Sequence, residues 1–473
     1  MKKTITFCAT LVLLTALISN VHGQVGSAPQ QPAASNSAAP DQVARTQQAV
    51  AKIEKAIAIL IPGGVKDGTP RKKQITAVVD SFVKGQARDA MQELEKMTAE
   101  DTTLPPAKLL MAGLTFSVGD NQAGLALLES SAINHPDYPG VYLSFAQLAI
   151  NNNRITDASL HIDKTARLID AGNMSPEWRN HFLKQYYEVA TSVYLRRKKN
   201  QQANDTLEQL QALSPNLPFY FFSKAELAFR DGKNDVALQF LKQHGTVVES
   251  KRLPELTLVD WLKTTGKEEE GKALLLQTRQ QNPKDSLAQM MTAQMYMAGE
   301  DFPNALTALG SFEDANGGET KQSLDMKGRI AFAGLSYDAA AEHFKKVASN
   351  DASSANILAL CLVESNDPEK RKQAIQISQQ VASRMSGNVL ALGSLAYIYL
   401  KNGEKEKSDQ LMQRVVLSRQ ATPEISYFLA NSLIENGQPE QAAKILEKVV
   451  DSKGLFLYRS ASRKLLASLE AKK

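Results

Sequence analysis

Histidines, cysteines and glycine-rich turns are where a chain of 473 residues would carry chemistry, and here each set falls short of a working arrangement. The six histidines are His22, His135, His161, His181, His244 and His343. A helical zinc site needs two of them four residues apart, as in H-E-x-x-H, because that spacing puts both rings on one helix face. No pair has it. Of the two cysteines, Cys8 and Cys361, the second stands inside the apolar run Ile357-Leu358-Ala359-Leu360-Cys361-Leu362-Val363 and reads as a small buried hydrophobe, not a nucleophile. Gly63 and Gly68 have the separation of a phosphate loop, but Thr69-Pro70 follows where lysine and Ser/Thr must stand, so the stretch reads as a linker. The chain is therefore expected not to be an enzyme, and to need no cofactor and no metal.

Charge points the same way. The densest basic run, Arg196-Arg197-Lys198-Lys199, is answered by Glu268-Glu269-Glu270, and the net charge of +5 is spread over the whole length. A nucleic-acid binder concentrates its basic residues on one face, so no nucleic-acid partner is expected. Hydrophobic residues at 43% suit a core-forming chain, while aromatics at 6% favour many small helix–helix contacts over one thick core.

The elements begin with Met1 to Gly23. Lys2 and Lys3 precede the apolar run Ile5 to Ile18, which is too short to span a bilayer, and Val21-His22-Gly23 supplies a cleavage point. This reads as a signal peptide, residues 1–23, so the mature chain is expected in the periplasm, or released, with no transmembrane span. Without Cys8 it has no possible internal disulfide and depends on packing alone. Residues 24–40, rich in Gln, Pro, Ala and Ser, read as a flexible tether. Within residues 41–70, Asp41 opens a helix with Val43, Val50, Ile53, Ile57 and Leu60 on one stripe, and Pro62-Gly63-Gly64 ends it.

From Arg71 the chain repeats. Ala90, Gly124, Ala158, Ala203, Ala237, Gly271, Ala305, Ala340, Ala374, Ser408 and Ala442 are all small, and eight of their ten intervals are 34 residues. Five positions earlier stands a turn, with glycine at Gly85, Gly119, Gly232, Gly266, Gly403 and Gly437; four positions later stands a large apolar residue, such as Leu94, Leu128 or Phe344. A second small site lies twelve positions earlier, at Ala112, Ala146, Ala225, Ala293, Gly328, Ala396 and Ala430. Each unit is then two amphipathic helices joined by a turn, with small residues letting the axes approach at the crossing.

The pattern resembles the tetratricopeptide repeat, W-x-x-L-G-x-x-Y then A-x-x-x-F then P. Leu395-Ala396 with Tyr399, Gly403, Ser408 and Met412 matches it, as does Leu429-Ala430 with Leu433, Gly437, Ala442 and Leu446. The tryptophan is missing, since Trp178 and Trp261 lie elsewhere, and Lys198 and Leu335 replace the turn glycine. The resemblance implies an all-α, right-handed superhelical solenoid of about eleven helix pairs over residues 71–456, with a capping helix and tail at 457–473. An insertion falls near 173–183, between two repeats, and Asp367-Pro368-Glu369-Lys370 lengthens one turn.

It also implies a protein or peptide partner, held where the first helices line a concave groove. Register places Phe219, Phe222, Glu226, Phe229, Met290, Gln294, Met297, Tyr397, Tyr427 and Asn431 there. The family's clamp for acidic chaperone tails is not expected, because Tyr427 stands where that clamp needs lysine, although Asn431 fits. The function read from the sequence is a scaffold or adaptor of the bacterial cell envelope. The alternative is a structural subunit of an envelope assembly or polymer-export machine.

Overall fold

The computed structural model describes residues 50, 53–61, 68–365, 367–452 and 454–471. The expected signal peptide, the tether, most of residues 41–52 and Gly63 lie outside them. Two compact units divide the chain, Met1–Pro254 and Glu255–Lys473. All regular structure among the described residues is helical.

The first unit holds five helix pairs: α1 (Pro70–Val83) with α2 (Ala87–Glu100), α3 (Ala107–Ser117) with α4 (Asn121–Asn134), α5 (Pro139–Asn151) with α6 (Ile155–Ala171), α7 (Pro176–Arg196) with α8 (Asn200–Leu213), and α9 (Pro218–Arg230) with α10 (Asn234–Val247). The second holds six: α11 (Pro254–Thr264) with α12 (Glu268–Gln281), α13 (Ser286–Ala298) with α14 (Phe302–Asn316), α15 (Lys321–Ala333) with α16 (Tyr337–Lys345), α17 (Ala352–Val363) with α18 (Pro368–Arg384), α19 (Val389–Lys401) with α20 (Lys405–Leu417), and α21 (Pro423–Glu435) with α22 (Pro439–Val450). A last helix, α23 (Arg459–Glu470), packs against α22. No helix among the described residues is long and apolar enough to cross a membrane.

The small residues sit where the two helices of a pair cross. Ala90, Ala158, Ala203, Ala237, Ala305, Ala340, Ala374, Ser408 and Ala442 are all fully buried, and on the first helices so are Ala146, Ala225, Ala293, Ala396 and Ala430. The fit is tight enough that Gly328 has no room for a methyl group: a Cβ there would lie 2.7 Å from the buried Phe344 ring.

Apart from the lengthened turn between α17 and α18, the turns within pairs close in one way. At the first, the Gln86 N–H reaches back to the Ser81 carbonyl (2.9 Å) while Gly85 takes φ +79°, and the same long bond recurs from Asp120 to Thr115, from Glu404 to Tyr399 and from Gln438 to Leu433. Lys198 and Leu335 adopt the left-handed conformation without being glycine, at φ +58° and +63°, as do Asn153 and Glu300 in the same column. The two helices meeting across the turn impose that geometry, at roughly 1–2 kcal/mol per residue.

These crossings make the glycines separable by experiment. Gly328→Ala should lose about 1–3 kcal/mol, because Phe344 must leave its place. Gly310→Ala in α14, where a Cβ meets nothing within 4 Å, should gain about 0.5–1 kcal/mol from helix propensity. Urea unfolding monitored by circular dichroism checks both signs.

Candidate functional site

The first helices of successive pairs build one face of each unit, and in both units a segment from outside the repeats lies on it.

In the first unit the occupant is 53–61, helical over 53–58. Ile53, Ile57 and Ile61 are buried in one cluster with Ile75 and Val79 of α1 and with Leu110 and Leu114 of α3. Gly113 of α3 permits close approach, because a Cβ there would stand 3.4 Å from the Leu60 side chain and 3.5 Å from the Ala56 carbonyl. The Glu54 carboxylate accepts from Lys72 Nζ (2.6 Å) and Thr76 Oγ1 (2.9 Å), and Gln185 Nε2 of α7 donates to the Ile59 carbonyl (2.9 Å). The contacting end of α7 is unusual. This helix has 21 residues where α5 and α9 have 13, and the added N-terminal turns carry Trp178, His181 and Phe182. Burial pushes the His181 pKa down, against the pull of the Leu60 backbone.

Farther along the same helix, burial lifts the Glu188 carboxyl to about 7, with Lys184 opposing it. Glu226 of α9 is also raised by burial, but Arg230 and Arg196 hold it back: Arg230 donates to the Glu226 carboxylate and to the Leu195 carbonyl, and Arg196 Nη1 donates to the Ile150 carbonyl (3.0 Å).

In the second unit the occupant is the stretch that follows α22. Tyr458 is fully buried with its ring edge-on to Phe332 of α15 (4.9 Å) and stacked on Tyr427 of α21 (4.4 Å), with Phe428 at 5.4 Å and Tyr397 of α19 at 5.8 Å. Arg459 is buried beside it. Its guanidinium donates to the Ala298 carbonyl at the end of α13 (2.8 Å) and to the carbonyls of Ser452 (2.6 Å) and Gly454 (2.7 Å). Glu300 in the next turn accepts from Ser460 Oγ (3.0 Å) and from Arg463. Behind the rings, Tyr397 Oη donates to Glu364 Oε1 (2.5 Å), while Lys401 Nζ lies 3.5 Å from Glu364 Oε2. Burial raises the Tyr397 and Tyr458 pKa values well above the ordinary tyrosine range.

This geometry corrects the expected groove. Phe219 is buried against α7 and α8, in the cluster of Leu195, Leu207 and Leu210, and Phe222 is buried against His244 (5.3 Å). Met290 and Met297 pack into the core shared with α14 and α15. Their register places them between pairs, not on the open face. Tyr397 and Tyr427 do lie on that face, but Tyr458 covers them. Glu226 and Phe229 are half-buried, Asn431 donates to the Tyr427 carbonyl of its own helix (2.8 Å), and Gln294 is exposed.

Within the expected capping segment, Leu457 and Tyr458 precede α23 in a turn, and Arg459 at its start is buried. The missed residues, Tyr458, Arg459, Glu300 and Glu364, had one signal in the sequence. Leu455-Phe456-Leu457-Tyr458 is an unbroken apolar run beyond the last repeat, and it fits no amphipathic helix period.

No family model and no curated protein matches the chain. Among solved structures it is similar to a tetratricopeptide repeat protein from Parabacteroides merdae ATCC 43184, at 15% identity over 54% of this chain and 98% of that one, with a TM-score of 0.41. It is also similar to the TPR domain of P58(IPK), at 14% identity over 81% and 100% with a TM-score of 0.26, and to the TPR protein TTC0263 of Thermus thermophilus, at 16% over 42% and 97% with a TM-score of 0.29. The helix pairs and their 34-residue spacing are themselves tetratricopeptide-like. These likenesses concern that fold alone.

Glu188 supplies a pH test. Its carboxyl titrates near 4.5 when unfolded and near 7 when folded, so the unfolded chain ionises first. Stability is therefore lost as pH rises from about 4.5 to about 7, by up to about 3 kcal/mol. Glu188→Gln should remove that loss: the variant gains in Tm over the parent at pH 8 and gains little at pH 4.5. Equal gains at both values would contradict the assignment.

Proposed function

We propose that the chain is a non-enzymatic protein-interaction scaffold or adaptor of the bacterial cell envelope, exported by residues 1–23, which holds a polypeptide segment on the first-helix face of a unit. The observation that supports this best is that both units already hold polypeptide there, 53–61 in one and 454–463 in the other.

Both faces grip polypeptide by the same means. Apolar side chains enter slots between first helices, and side chains such as Gln185 bond to backbone carbonyls of the occupant. The reactive-looking groups are spent on structure. Burial raises the Cys361 thiol far above the range in which thiolate forms at neutral pH, and Glu226 is tied to Arg230. The leading run of Lys2, Lys3 and apolar residues supports placement in the periplasm.

Fractionation of cells combined with in-cell crosslinking and co-purification tests the reading. It predicts a chain shortened by about the first 23 residues in the periplasmic fraction, joined to several protein clients in sub-stoichiometric amounts. One stoichiometric complex would assign the chain to an assembly as a structural subunit. A full-length precursor confined to the cytoplasm, or substrate turnover by the purified chain, would overturn the proposal.

A further inference from the structure

We propose that the first-helix face of the second unit is a peptide-binding site for a segment bearing a tyrosine–arginine pair with a second arginine four residues on, and that residues 452–471 keep it closed in cis. This rests on the scaffold reading and names the ligand chemistry of one of its faces.

The present occupant supplies the specification. The slot for Tyr458 is walled by Phe332, Tyr427 and Phe428, so it takes a flat aromatic ring by edge-on and stacked contacts. The neighbouring position requires a cation. The Ala298 carbonyl lies at the C-terminal end of α13, where the helix presents its partial negative charge, and Arg459 Nη1 bonds it directly. The other guanidinium nitrogen collects the Ser452 and Gly454 carbonyls of the occupant itself, a fork that lysine cannot reproduce and that a peptide of the same sequence brings with it. Glu300 then takes Arg463 and Ser460, which fixes the direction of the chain across the face.

The way the occupant is attached makes it a ligand in cis. Helix α22 ends at Val450, and no helix covers the described residues between Asp451 and Tyr458. Within that link Gly454 takes φ +86° and Leu455 is exposed. Side chains entering the face, not a continued helix, hold Phe456 to Arg459 in place. So short a tether sets an effective concentration on the order of millimolar, which excludes a competing peptide until the tail is loosened.

The probe is a fluorescent peptide of residues 452–471, titrated by anisotropy into the full chain and into the full chain carrying both Tyr458→Ala and Arg459→Ala. The loosened chain should bind the peptide at least tenfold more tightly than the parent does. A peptide carrying Tyr458→Ala should lose at least tenfold on the loosened chain. Equal binding by both chains, or equal binding of both peptides by a loosened chain of unchanged helicity, overturns the proposal. If the double variant loses helicity, native-state hydrogen exchange of the parent decides instead. Amides of 459–466 should open at lower free energy than those of α19 and α21, and opening of all three as one unit would make the tail a core element and overturn the site. A dimer of parent chains with exchanged tails would give the face to a second copy, also against the proposal. Any of these failures leaves the scaffold reading standing, because that reading is judged by co-purified clients and by location.

Discussion

A helix pair crossing at a small residue buries one side of each helix and leaves the other sides apolar, so no pair is stable alone. Every other feature of the chain answers that constraint. Neighbouring pairs cover one another, as where Phe219 enters the cluster of Leu195, Leu207 and Leu210 from the preceding pair. The remaining demand falls on surfaces that the repeat cannot cover from within: the last pair and the first-helix faces. Helix α23 covers α22, residues 53–61 cover part of one face, and Phe456 to Arg459 cover part of the other.

The repeat could be read from the sequence because its cause is local. Ala203 and Ala396 are fully buried at the crossings, and in all pairs but α17–α18 the turn five positions ahead of the second-helix small residue takes a left-handed residue, so composition and spacing carry the signal. Where Lys198 and Leu335 broke the glycine column, the geometry held, since the packed helices on either side outweigh the strain at one residue.

The occupied faces could not be read in the same way. Gln185 meets the Ile59 carbonyl across 126 positions of sequence, and Arg459 meets the Ala298 carbonyl across 161. Neither distance bears any relation to the 34-residue period. Register alone also cannot tell a first-helix residue on the open face from one turned toward the next pair. For that reason Met290 and Tyr397 carried the same expectation and met different fates, one inside the core and one beneath Tyr458. The polar groups on these faces follow from the covering. On the second face, burial raises Tyr397, Tyr427 and Tyr458, and Arg459 is satisfied by carbonyl oxygens.

Cys361 offers the most direct measurement of the claim that the tail covers the second face. Its thiol is buried in the cluster that includes Tyr458 and interacts electrostatically with that side chain. Labelling of Cys361 by a maleimide, followed by mass spectrometry, reports whether the cover is in place. A covering tail predicts slow labelling in the parent and in Tyr458→Phe, and labelling faster by tenfold or more in Tyr458→Ala, at unchanged helicity, an acceleration equivalent to about 1.4 kcal/mol of lost protection. Equal rates in all three would contradict it.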